Sequence, residues 1–78
     1  MLKRIVQQAK KNNNWSDSYA DLVAVEYHKF LELRSDNEKL SPADNIDIFW
    51  HQHILNTKHY FDYCLLNFGK IILNCKSI

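Results

Sequence analysis

Apolar residues recur along most of this chain with the spacing of a helix face. Leu2, Ile5, Val6 and Ala9 form one stripe, with Lys and Gln on the opposite side. The pattern predicts a first helix over 2–11. Asn12-Asn13-Asn14 should end it, because Asn tolerates left-handed backbone angles and competes for backbone hydrogen bonds. Ser16 then reads as an N-cap, with Asp17 placed where the helix dipole favours an anion. A second helix over 16–34 would bury Tyr19, Val23, Tyr27, Phe30 and Leu31, widened by Leu22, with Arg34 suiting its C-terminal pole. His28 stands alone on it and reads as solvated.

The third helix is expected over 43–55. Its start has two readings: Ser41 as cap with Pro42 in the first turn, or Asp44 as cap with Asp47 behind it. Ile46, Phe49, Trp50, His53 and Ile54 share its broad apolar face, while Asp47 and His51 project elsewhere. Asn56-Thr57 marks a break, and a fourth helix over 58–68 would carry Tyr60, Phe61, Cys64, Leu65 and Phe68 inward until Gly69 stops it. Ile71-Ile72-Leu73 is too short to separate a helical turn from an extended segment. The expected architecture is an all-α bundle of about four helices with a short C-terminal apolar segment, one domain over 1–78. Its candidate core residues are Trp15, Tyr27, Phe30, Trp50, Tyr60 and Phe68.

Composition supports this. The chain has one Gly and one Pro, too few for the tight turns of an all-β domain or for a Gly-rich phosphate loop. Hydrophobic residues make up 46%, which separates it from a disordered tail. No apolar run approaches the ~20 residues of a membrane span. Cys64 and Cys75, with no signal peptide, read as reduced thiols in a cytoplasmic setting. Lys3, Arg4, Lys10 and Lys11 concentrate positive charge in the first helix, but the middle of the chain is acidic and no recognition helix is evident. Nucleic acid is therefore a poor partner, and those cations read as a solvated face.

Candidate chemistry lies in Asp47, His51, His53 and His59, since imidazole is the commonest transition-metal ligand. Asp47 and His51 stand one turn apart and can meet. His51 and His53, however, sit about 200° apart around a helix and cannot share an ion within it. There is neither H-E-x-x-H nor C-x-x-C. The alternative for His53 is a core histidine hydrogen-bonded to backbone or to a buried acid, and for His51 a half-exposed partner of Asp47. Cys64 lies on an apolar face, where thiols are inert, and so small a bundle has little room for a substrate cleft. No catalytic residue is assigned. The expected function is a non-catalytic interaction module that binds a protein partner or self-associates, the alternative being a metal-binding domain.

The run Ser41-Pro42, Ile46-Asp47, Phe49-Trp50-His51, His53-Ile54-Leu55, Thr57, Tyr60, Cys64 and Phe68-Gly69 resembles the small helical domain of glycine-rich domain-containing proteins and their short stand-alone relatives. Trp15-Ser16 and Glu26-Tyr27-x-Lys29-Phe30-Leu31 look like that family's earlier helix, so the likeness covers residues 15–72. It implies an all-α domain. Relatives often carry a His-His pair beyond the Phe-Gly, where this chain has Leu73 and Asn74, and the Gly-rich region is absent here.

Overall fold

The computed structural model describes residues 2–37 and 39–72. Leu73, Asn74 and Cys75 fall outside the described residues, so the expected C-terminal segment is seen only as Ile71 and Ile72. Among the described residues there are four helices and no strand: α1 Lys3–Asn13, α2 Asp17–Asp36, α3 Asp44–Leu55 and α4 Thr57–Phe68. The chain forms a small all-α bundle whose radius of gyration, 11.7 Å, matches the value of about 11.5 Å for a compact domain of this length.

Local chemistry sets the boundaries. Asn14 takes the left-handed conformation at φ 59°, and its N–H returns to the Lys10 carbonyl, closing α1. The Ser16 hydroxyl accepts from the Tyr19 N–H at 3.2 Å and opens α2. Lys10 bridges this corner to Asp17 at 2.5 Å, and holds that carboxyl below its usual range. Gly69 ends α4 at φ 72°, its N–H bonded to the Leu65 carbonyl.

The start of α3 corrects both sequence readings. Its N-cap is Ala43, and neither Ser41 nor Asp44 caps it with a side chain. Asp44 and Asp47 both lie in the first turn, where exposed amides and the dipole attract carboxylates without a formal cap.

Helix α3 is the spine and packs against all three others. Trp50 is fully buried at its centre, with Phe30 edge-on at 5.3 Å and the Arg34 guanidinium 5.4 Å from its ring centroid. The Trp50 indole N–H donates to the Tyr60 hydroxyl at 2.9 Å, and Tyr60 in turn donates to the Ile72 carbonyl, fastening the chain beyond α4 to the core. Tyr27, Phe30 and Tyr60 are buried as expected. Trp15 and Phe68 are not: they are partly buried and pack on the rim, Trp15 in the α1–α2 corner and Phe68 in the last turn of α4.

Arg34 does more than face a helix pole. It is 8% exposed, and besides covering Trp50 it donates to the Leu40 carbonyl at 2.7 Å. Beside the buried Ile5 and Ala9, a row of carboxamides ties α1 to α3. Asn12 donates to Gln52 at 2.9 Å, while Gln52 and Asn56 both donate to the Gln8 oxygen, at 2.9 and 2.8 Å.

Candidate functional site

The histidines divide between the inside and outside of α3. His53 is fully buried. Its Nδ1 lies 2.7 Å from the Tyr27 hydroxyl on α2, and its Nε2 lies 2.8 Å from Nδ1 of His59 on α4. The aromatic rings of Tyr60 and Tyr63 close around it at 5.0 and 5.1 Å. Burial, and then the neighbouring His59, push its pKa down to about 3. Burial likewise raises the Tyr27 phenol well above its ordinary value.

A neutral His53 has one ring N–H, so two proton arrangements satisfy the chain. In one, Tyr27 donates to Nδ1 and Nε2–H donates to His59. In the other, Nδ1–H donates to the Tyr27 oxygen and His59 donates to Nε2. The partners are thus a phenol and an imidazole, where the sequence pointed to backbone or a buried acid.

His28 also departs from expectation. It is half-buried, hydrogen-bonded through Nδ1 to the Tyr63 hydroxyl and 3.2 Å from Glu32 through Nε2. Sequence reasoning missed Tyr63 altogether. Its spacing one turn after both His59 and Tyr60 was the available signal.

On the other side of α3, His51 and Asp47 pair at 3.6 Å with half-exposed side chains. Asp47 Oδ1 is buried and has no hydrogen-bond partner among the described residues. The four candidate ligands therefore fall into two pairs, Asp47–His51 outside and His53–His59 inside. Among the described residues no group of three or more His, Cys, Asp or Glu stands close enough to hold one ion. Cys64 is a free, fully buried thiol whose pKa burial raises.

The outer surface brings a different feature together. Leu22, Val25 and Leu33 are 55%, 56% and 62% exposed on α2. They lie on one arc, opposite the arc that buries Val23, Tyr27, Phe30 and Leu31. Leu22 was expected to widen the core and instead faces out, as Tyr19 does in part. On α4, Phe61 and Leu65 are exposed as well, although both were expected inside. The inward arc of α4 is set by Tyr60, Tyr63 and Cys64, which turns Phe61 and Leu65 about a quarter-turn or more away. No helix among the described residues is long and apolar enough to cross a membrane.

No family model, no curated protein and no solved structure matches this chain.

Proposed function

We propose that the chain is a small non-catalytic interaction module, whose outer α2 face binds another protein or a second copy of itself. The observation behind this reading is the exposed stripe of Leu22, Val25 and Leu33. Single exposed apolar side chains are ordinary, but Leu22, Val25 and Leu33 share one arc of one helix, with the charged Glu26 and Lys29 between them, and water wets those apolar positions at a free-energy cost. Helix-in-groove and helix-on-helix recognition both read such anchors at turn spacing. The bundle behind the strip is held rigid by Trp50, Tyr27 and the His53 hydrogen bonds, so binding orders little more than side chains. The free buried thiol of Cys64 suits a cytosolic setting.

The test uses the double variant Leu22→Gln/Leu33→Gln beside the wild type, with helicity checked by circular dichroism. Each serves as bait in cells that also express an untagged copy. Stoichiometric recovery of a partner or of the untagged copy by wild type, and its loss with the folded variant, supports the reading. Equal recovery by both baits sinks it.

A further inference from the structure

We propose that the occupant of the α2 face is a second copy of this chain, lying antiparallel across a two-fold axis through the middle of α2; this rests on the interaction reading above. Leu22 and Leu33 are equidistant from the midpoint between Tyr27 and His28, and so are Glu26 and Lys29. All four are exposed and lie on the same outer arc. An antiparallel copy centred on that midpoint sets Leu22 against the partner's Leu33 and Glu26 against the partner's Lys29. The two-fold axis makes each contact twice.

A single displacement thus satisfies the apolar anchors and the charges together. The competing parallel arrangement in the same register sets Glu26 against the partner's Glu26 and Lys29 against the partner's Lys29, which is repulsive. Among the described residues no ion pair within the chain engages Glu26 or Lys29, so both charges are available. Val25 flanks the centre, where the aliphatic stem of the partner's Lys29 covers it. Asp21 and Glu32 stand about a quarter-turn to one side and remain in water.

The contact is narrow. The anchors span about 16 Å of helix axis, and one helix pair falls below the roughly 800 Å² per partner of a standard interface. The dimer is therefore weak, reversible and dependent on concentration.

Sedimentation equilibrium of the purified full chain, from about 10 μM to about 1 mM, decides the matter. Wild type is expected to show a monomer–dimer equilibrium. Glu26→Lys and Lys29→Glu should each weaken it about tenfold, since each turns two attractions into two repulsions. Mixing the two single variants should restore association through a heterodimer, and the double variant Glu26→Lys/Lys29→Glu should dimerise like wild type. These surface substitutions leave the core untouched, and circular dichroism confirms folding. A wild type that stays monomeric at about 1 mM overturns the proposal, as does a dimer indifferent to both single reversals. A monomer whose partner is nonetheless lost with Leu22→Gln/Leu33→Gln overturns only the second-copy assignment and leaves the interaction reading standing.

Discussion

Acidification from about pH 7.5 to about pH 5 should remove roughly 2 kcal/mol of folding stability through His53 alone. The imidazole is fully buried and its pKa is pushed down to about 3, against 6.5 when the chain is unfolded. Between those values the unfolded chain binds a proton that the folded one refuses. Stability is therefore complete above pH 6.5 and falls as pH drops, by at most about 1.4 kcal/mol per unit, until the folded pKa is reached. A domain of 78 residues has only about 4–12 kcal/mol to lose. With a urea slope near 1 kcal/mol/M, the unfolding midpoint should fall by about 2 M. Urea titrations followed by far-ultraviolet circular dichroism at the two pH values measure this. Asp17, held down by Lys10, acts in the same direction but only once pH enters the carboxylate range, below this window. His53→Gln should lose most of the dependence. Proton NMR gives a check that does not depend on the variant folding: the His53 ring signals should not titrate between about pH 7.5 and about pH 4.5. A folded-state titration of His53 near 6.5, or equal loss of stability in wild type and His53→Gln, would refute the reasoning.

Trp50→Ala should destabilise by about 3–5 kcal/mol, because it vacates the centre of α3 and leaves Arg34 without its ring and Tyr60 without its donor. A thermal melt showing a shift of only a degree or two would contradict that core assignment. Gly69→Ala should cost about 1 kcal/mol from backbone conformation alone, since its φ is 72° and nothing lies within 4 Å of the added carbon. Recovery with Gly69→Asn, read from urea midpoints, would separate conformation from packing. Excess zinc should leave the melting temperature unchanged within about 1 °C, given that Asp47–His51 and His53–His59 stand apart; a larger rise would reveal ligands coming together.

Much of the fold was legible from spacing, and the exceptions have a physical pattern. Helix ends announced themselves through Asn14, Ser16 and Gly69, whose backbone preferences act over only a few residues. Helix faces were readable only where polar residues framed them. On α1 the Lys and Gln positions leave one arc, and Ile5 and Ala9 are buried on it. On α4 apolar side chains at 60, 61, 63, 64, 65, 66 and 68 nearly encircle the axis. Periodicity then selects no arc, and packing against α3 makes the choice, which is why Tyr63 went in and Phe61 out. The polar interior was beyond spacing altogether. That His53 would meet Tyr27 and His59 depends on three helices converging, and the residues lie 26 and 6 positions away. What could be read was the negative: His51 and His53 diverge, as a helix demands.

The carboxamide seam between α1 and α3 carries a consequence for the order in which the molecule comes apart. Gln8, Asn12, Gln52 and Asn56 have no proton to gain or lose in ordinary acid, and neither salt nor pH touches their bonds. The α2–α3–α4 junction, by contrast, closes around a histidine that stays neutral while buried and gains a proton in mild acid once the junction opens. One side of the spine is indifferent to protons and the other is not. In mild acid, amide hydrogen exchange should accelerate in α4 before α1, so that the last piece to let go is a two-helix remnant of α1 on α3.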